Sequence, residues 1–116
     1  VRAEVDGGQI EQALTNLVMN AVHASPRGAV VTLRAGFDGQ EAILAVEDEG
    51  CGMAPEVLER VFEPFFTTKE PGEGTGLGLS VAFGIASDHG GRLDAASVPG
   101  RGSTFTLRLP TEQPTS

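Results

Sequence analysis

The sequence predicts a single α+β domain with a mixed or antiparallel sheet, and three observations support this fold class. Strand-like and helix-like patterns follow in the order strand, helix, two strands, helix, long loop, helix and two strands, whereas a doubly wound parallel sheet would alternate strand with helix. The chain has 116 residues, which suits one domain with its own core. The dipeptide Asp38-Gly39 joins two strand-like runs as an antiparallel hairpin.

Composition and charge narrow the classes of function. The formal net charge of −8 argues against a general binder of nucleic acid or anionic membranes. Lys69 is the only lysine, so few residues can compete for a role in binding phosphate. The only cysteine, Cys51, leaves no internal disulfide and no cysteine-based zinc site. No basic leader and no apolar run of roughly 20 residues occurs, so a soluble, cytoplasmic chain is expected.

The first helix is predicted by apolar residues that recur at helical spacing. The pattern runs from Gly8 to Ser25, and Pro26 and Gly28 end it. Its apolar positions are Ile10, Leu14, Leu17, Val18, Ala21 and Val22.

The other elements follow from turn and periodicity signals. A short helix is predicted over 54–63 with Pro55 in its first turn, and a second long helix over 77–89 ends at Gly90-Gly91. Strands are predicted over residues 29–35, 41–48, 91–97 and 103–110.

Two asparagines, Asn16 and Asn20, lie four residues apart in the first helix, in the stretch NLVMN. They therefore stack on one side of the helix, beside its apolar stripe. A neutral amide oxygen can join phosphate oxygens and waters around an octahedral Mg²⁺ ion, which makes the pair a candidate metal and phosphate site. On this motif alone, the alternative that both face solvent or cap neighbouring loops stays open.

Asp48 ends the second predicted strand and shares a strand face with Leu44 and Val46. A carboxylate on the core side needs hydrogen-bond donors. The exocyclic amino group of adenine is such a donor, whereas guanine presents an oxygen there, so Asp48 could select ATP over GTP. Gly50 and Gly52 would let the backbone turn closely beneath the base. An ordinary Asp-Gly turn with a solvated acid is the open alternative.

A long glycine-rich segment separates the short helix from the next long one. It starts with Phe62, Phe65 and Phe66 and continues through polar residues into GEGTGLGLS. A segment of this length inside a compact domain is usually functional or disordered, and its glycine spacing fits neither the P-loop nor the dinucleotide fingerprint. We interpret it as a lid whose backbone N–H groups, with Lys69 and the following helix N-terminus, cradle phosphates. A linker without a ligand is the alternative.

The last strand begins in the stretch GRGSTFTLRLP. Phe105, Leu107 and Leu109 alternate inward, which places the hydroxyl of Ser103 on the same inner face. That hydroxyl could hydrogen-bond near Asp48. A strand entered through a glycine-rich turn, without any role in binding, is an equal alternative for this motif alone.

Taken in this order, the segments strongly resemble the ATP-binding catalytic domain of two-component sensor histidine kinases, in the ATPase superfamily that includes DNA gyrase. The stretch QALTNLVMNAVHAS is similar to the family's N box, DEGCGM to its first glycine box, FEPFF to its F box, GEGTGLGLS to its second glycine box and GRGSTF to its last glycine motif. The resemblance covers residues 1–110 as one domain and leaves 111–116 as a flexible tail. It implies an α+β two-layer sandwich in which about three helices cover a mixed, mostly antiparallel five-stranded sheet.

The resemblance also implies roles for individual residues. Asn20 matches the Mg²⁺ ligand, Asn16 its companion near the phosphates, and Asp48 the acid that reads adenine. Asn16, Asn20 and Lys69 are the implied catalytic residues. His23 stands where some relatives place a lysine that contacts phosphate. The nucleotide-binding candidates are Asn16, Asn20 and Asp48, together with His23, Gly50, Gly52, Lys69, Gly74, Thr75, Gly76, Leu77, Gly78 and Ser103.

The resemblance implies transfer rather than rapid hydrolysis of ATP. Gyrase-type relatives that hydrolyse ATP carry a glutamate where this chain has Asn16, and an amide cannot accept a proton from water. The γ-phosphoryl group would pass to a histidine on a separate dimerisation domain, and through it to a response regulator. His23 and His89 lack that histidine's sequence setting, so the acceptor is expected outside this chain. The domain alone is expected to be monomeric, with little kinase activity and no direct contact with nucleic acid or membrane.

Two other classes of function stay open. An anti-sigma-factor-type serine kinase would share the N box and the first glycine box, although the F box and the long lid argue against it. The other is a non-catalytic ATP-binding regulatory module, or a degenerate domain used only for protein contacts, although the intact Asn20, Asp48 and lid glycines argue against degeneracy.

Overall fold

The computed structural model describes residues 7–63 and 78–110 of the chain. The elements within these ranges are, in chain order, α1 (Gly7–Ala24), β1 (Thr32–Phe37), β2 (Glu41–Glu47), α2 (Pro55–Leu58), α3 (Gly78–Asp88), β3 (Arg92–Val98) and β4 (Gly102–Pro110). The predicted α+β order is confirmed over these residues. The predicted tail 111–116 and the predicted strand before α1 lie outside the described residues.

The four described strands form one sheet in the order β1-β2-β4-β3, and every neighbouring pair is antiparallel. The central strands β2 and β4 pair from Glu41 opposite Pro110 to Glu47 opposite Thr104. This register brings the end of β2 beside the start of β4, where the chain enters through a glycine-rich turn. The antiparallel sheet is confirmed, with four of the five expected strands in the described residues.

The core lies between one face of the sheet and the helices α1 and α3. The fully buried side chains of largest volume are Phe105, Leu17, Leu107 and Val46. Each such side chain contributes roughly 1.5–3 kcal/mol when it leaves water. The remaining buried apolar residues are Ala13, Ala21, Val61, Ala82, Ile85, Ala86, Leu93 and Leu109. The predicted inward alternation of β4 is therefore confirmed, and helices and sheet form two layers.

The buried stripe of α1 is narrower than its apolar sequence pattern suggests. Ala13, Leu17 and Ala21, spaced four residues apart, face the core with no exposed surface. Val22, predicted on the apolar face, is 50% exposed. As the residue after Ala21, it points about 100° away from Ala21 around the helix, out of the face that packs on the sheet.

Two predicted boundaries are wrong. The strand predicted over 29–35 runs instead from Thr32 to Phe37, because residue 29 still belongs to the turn after α1, where Ala29 N–H donates to Pro26 O at 3.0 Å. The helix predicted over 54–63 ends at Leu58. Beyond it the chain continues as four-residue turns, such as the one closed by Glu63 N–H to Arg60 O at 2.9 Å.

The predicted hairpin turn is confirmed and is held by Asp38. Its Oδ1 accepts the backbone N–H groups of Glu41 at 2.8 Å and Gln40 at 2.9 Å. These two donors, Glu41 first, hold the pKa of Asp38 below its usual value, and the charge of Arg108 acts in the same direction. Gly39 takes a positive φ of 97° in the turn, a conformation that glycine adopts without strain.

Candidate functional site

Asp48 lies just past the end of β2 with its side chain on the core side of the sheet, as the strand alternation predicts. It is 4% exposed, and its backbone N–H donates to Ser103 O at 2.9 Å. Its Oδ1 accepts two further backbone N–H groups, from Gly50 at 2.9 Å and Ser103 at 3.2 Å. The carboxylate is thus held by donors from the loop after β2 and from the start of β4.

The second carboxylate oxygen, Oδ2 of Asp48, is buried and has no hydrogen-bond partner among the described residues. An unsatisfied buried acceptor costs about 1–3 kcal/mol, and a charged one costs more. With Oδ1 already held by backbone donors, Oδ2 is the atom free to accept a hydrogen bond from a bound group. The site therefore offers one hydrogen-bond acceptor, Oδ2, in a fixed position to a donor group of a bound ligand.

Gly50 and Gly52 line the loop after Asp48 where there is no room for side chains. A Cβ atom at Gly50 would collide with the carbonyl oxygen of Ala24, at the end of α1. A Cβ atom at Gly52 would collide with the carbonyl of Val98, and Gly52 has a φ of +70°. The loop therefore runs in direct contact with α1 and β3.

Asn16 and Asn20 lie one turn apart on α1, and both are half-buried. The side-chain amide of Asn16 donates a hydrogen bond to the carbonyl oxygen of Gly78 at 3.1 Å. Gly78 is the first residue of α3, so Asn16 lies at the seam between the two long helices.

Helix α1 connects the two parts of the candidate site. Asn16 contacts the start of α3, and Ala24, eight residues later, lies against the loop that follows Asp48. At 1.5 Å per residue these contacts are about 12 Å apart along the helix axis, with Asn20 midway. The arrangement suits an elongated ligand with a flat group at Asp48 and an anionic end at the asparagines and the α3 N-terminus.

Ser103 contributes to the site differently from the sequence expectation. It is 8% exposed and on the inner face, as predicted. However, its backbone N–H and carbonyl oxygen contact Asp48, while its hydroxyl lies 2.9 Å from the hydroxyl of Ser97. The two serines face each other in the β3–β4 register. Sequence reasoning missed Ser97, for which the only signal is its inward position in β3.

Of the remaining residues singled out in the sequence, some lie within the described residues and the others lie outside them. His23 is exposed in the last turn of α1. Phe62, the first aromatic residue before the predicted lid, stacks on Phe83 at a centroid distance of 5.0 Å and meets Phe105 edge-on at 6.1 Å. The other lid and anchor residues lie outside the described residues; they are Phe65, Phe66, Lys69, Gly74, Thr75, Gly76 and Leu77.

Two kinds of feature are absent from the described residues. No group of three or more His, Cys, Asp or Glu side chains could hold a metal ion there. A metal at the asparagines would therefore take most of its ligands from a bound anion and water, with an amide oxygen of the chain. Across 7–63 and 78–110, no helix has both the length and the apolar character to cross a membrane.

Comparison with known proteins identifies relatives in sequence and in fold. The family model described as histidine kinase-, DNA gyrase B- and HSP90-like ATPase matches residues 5–113. The sensor histidine kinase ZraS of Klebsiella oxytoca is 45% identical over 111 residues, which is 94% of this chain and 23% of that protein. The sensor kinase CckA of Brucella abortus (strain 2308) is 42% identical over 122 aligned positions, gaps included, and the alignment covers 92% of this chain and 13% of that protein. The chain thus spans less than a quarter of the length of these relatives.

Solved structures show the same similarity. A mycobacterial sensor histidine kinase, MprB, superposes with a TM-score of 0.85 at 29% identity, over 95% of this chain and 77% of that one. The catalytic domain of histidine kinase ThkA in a nucleotide-free form gives a TM-score of 0.83 at 34% identity, over 94% and 70%. By the match of its sequence and its fold, the chain belongs to the histidine kinase-, DNA gyrase B- and HSP90-like ATPase family, as an ATPase domain of the sensor histidine kinase type.

Proposed function

We propose that this domain binds ATP with Mg²⁺ and donates the γ-phosphoryl group to a histidine on a separate phosphoacceptor and dimerisation domain of the same sensor kinase. The observation that carries the proposal is the buried Oδ2 of Asp48, which has no partner among the described residues. The parent protein would supply the acceptor domain, since relatives are four or more times longer than the matched segment. The phosphoryl group would then pass to a response regulator.

The base would be recognised by Asp48. The exocyclic amino group of adenine donates to Oδ2, while the N–H groups of Gly50 and Ser103 hold Oδ1 in place. Guanine would place its O6 acceptor against the same carboxylate oxygen. That pairing leaves two acceptors facing each other, so the site would prefer ATP to GTP. The glycine loop would lie against the flat face of the base.

The triphosphate would lie at the seam between α1 and α3. The amide oxygen of Asn20 is a suitable ligand for Mg²⁺, which keeps phosphate oxygens and waters as its other ligands. Such an ion neutralises charge on the transferred phosphoryl group. The N-terminus of α3 presents unpaired backbone N–H groups to an anion. We propose phosphate contacts for Lys69, Gly74, Thr75, Gly76, Leu77 and Gly78, and we keep His23, in the last turn of α1, as a further nucleotide-binding candidate.

The absence of a base on α1 supports transfer over hydrolysis. Asn16 cannot take a proton from water, and its amide is bonded to Gly78. Glu11 is the only carboxylate on α1; it is exposed and points about 140° away from Asn16 around the helix. The nucleotide would therefore keep its γ-phosphoryl group until an acceptor histidine arrives in line.

The acceptor would lie outside the chain. His89 is followed by Gly90 and Gly91, without the acidic and polar residues that follow a phosphoacceptor histidine. His23 follows the apolar helix pattern without the acidic neighbour of a phosphoacceptor. We also place the domain in the cytoplasm, where Cys51, free and exposed, would remain reduced.

A test uses the full-length parent protein and this domain side by side. Each is incubated with γ-labelled ATP and Mg²⁺, and the label is tested for the acid lability and base stability of phosphohistidine. We expect phosphohistidine on the parent and almost none on the domain alone. Label recovered as phosphoserine on a partner protein would favour the serine-kinase alternative, and nucleotide binding without any label would favour a regulatory module. The relatives, which are named as sensor kinases, favour the first outcome.

A further inference from the structure

The hydroxyl group of Ser97, near the end of β3, is the centre of a small hydrogen-bond network. It accepts the backbone N–H of Met53 at 2.7 Å, donates to the carbonyl oxygen of Gly102 at 3.0 Å and lies 2.9 Å from the hydroxyl of Ser103. A serine hydroxyl has one hydrogen and two lone pairs. Because the hydrogen goes to Gly102, the Ser103 hydroxyl must donate to Ser97. All three hydrogen-bonding capacities of the Ser97 hydroxyl are then used.

The partners of Ser97 lie on both sides of Asp48. Met53 belongs to the loop that leaves Asp48, whereas Gly102 and Ser103 begin the strand that holds Asp48 through two backbone hydrogen bonds. A second connection between the same two segments is the bond from Gly100 N–H to Cys51 O at 2.7 Å. Ser97 supplies the side-chain connection between them.

We propose that Ser97 is a positioning residue for adenine recognition, because its hydroxyl joins the 50–53 loop to the start of β4 and so fixes the Asp48 carboxylate. This inference rests on the proposed function, in which Asp48 reads the amino group of adenine. Ser97 itself makes no contact with the base in this account and acts through Asp48.

Loss of the hydroxyl should loosen the carboxylate rather than unfold the domain. The N–H of Met53 and the carbonyl of Gly102 would lose a partner in a half-buried place, and the two segments could move apart to reach water. A recognition group works only within a few tenths of an ångström of its productive position. The hydrogen bond from the base amino group should therefore weaken, while contacts to the triphosphate stay intact.

The test compares two nucleotides that differ in one group. ATP and purine riboside triphosphate are titrated by calorimetry in Mg²⁺; the second lacks the 6-amino group, so the ratio of the two Kd values reports the hydrogen bond to Asp48. The variants are Ser97→Ala, Ser97→Thr, which keeps the hydroxyl, and Ser87→Ala as a matched control on the exposed surface of α3. Ser97→Cys, which fills similar space with a weak hydrogen-bonding group, replaces the alanine variant if that one does not fold.

We expect Ser97→Ala to reduce the preference for ATP by about tenfold, the size of one charge-assisted hydrogen bond. Ser97→Thr and Ser87→Ala should retain the wild-type preference. In an Asp48→Asn background, Ser97→Ala should change the preference little, because the two residues act through one contact.

Two outcomes would overturn the inference alone. In the first, the wild type prefers ATP and Ser97→Ala retains that preference. In the second, Ser97→Ala weakens both nucleotides equally, which is the result of a general structural role. A wild-type chain that binds neither nucleotide would contradict the proposed function and, with it, this inference.

Discussion

The side-chain amide of Asn16 donates a hydrogen bond to the carbonyl oxygen of Gly78 at 3.1 Å, across 62 positions of sequence. The bond connects the middle of α1 to the first residue of α3. It therefore sets the distance between the two helices at the place where we propose that phosphates bind.

Asn16→Ala should be roughly 0.5–1 kcal/mol less stable than the matched Thr15→Ala variant, because both gain the helix preference of alanine but only the first loses the bond to Gly78, which is exposed and of ordinary strength. Denaturant titration measures the change. Thr15→Ala, an exposed neighbour on the same helix, is the control and should be neutral or slightly stabilising, since alanine favours helix. Equal stabilities for the Asn16 variant and the control would mean that the bond does not contribute.

Asp48→Asn should weaken ATP binding at least tenfold, since a hydrogen bond to a charged group is worth about 1.5–3 kcal/mol. The new side chain would accept the N–H groups of Gly50 and Ser103 with its oxygen, and its amino group would face that of adenine. The same amino group can donate to guanine O6, so the preference for ATP over GTP should fall. Calorimetry with both nucleotides checks this, and unchanged ATP affinity would remove Asp48 from the base site.

Asn20→Ala should abolish the effect of Mg²⁺ on nucleotide affinity, because the proposed amide ligand is removed. ATP binding is titrated with Mg²⁺ and with excess chelator, and the ratio of the two Kd values is the readout. Thr15→Ala again serves as the control on α1 and should keep the wild-type ratio. If Mg²⁺ tightens binding equally in the Asn20 variant, the metal assignment is wrong.

The turn before β4 allows a matched pair of glycine substitutions. Gly100 and Gly102 both have positive φ, 80° and 131°, so alanine at Gly100 should cost about 1–2 kcal/mol of stability. Alanine at Gly102 should cost at least about 1 kcal/mol more, because its Cβ would collide with the backbone carbonyl of Asp48, whereas Gly100 faces open space. Thermal unfolding gives both values. The Gly102 variant alone should also lose ATP affinity; equal effects of the two changes would contradict the packing described.

Some of this site follows from local sequence patterns. The alternation of apolar residues in β2 places Asp48 on the core face, and the helical spacing of Asn16 and Asn20 places both on one side of α1. These patterns need only the periods of the strand and the helix.

Other features depend on contacts between distant segments. The bond from Asn16 to Gly78 and the pairing of Ser97 with Ser103 are set by how α1 meets α3 and by the β3–β4 register. A local period indicates which face a side chain occupies but not which partner it meets there. For the same reason Val22 continues the apolar pattern of α1 yet remains half exposed.

The central claim is that Asp48 and the seam between α1 and α3, with Asn16 and Asn20, form one nucleotide site that prefers adenine. The most direct measurement is calorimetric titration of this domain with a non-hydrolysable ATP analogue in Mg²⁺, beside the matching GTP analogue. The account predicts binding of one ATP analogue per chain and at least tenfold weaker binding of the GTP analogue, the size of one lost charge-assisted hydrogen bond. Equal affinity for the two analogues, or no binding of either, would contradict it.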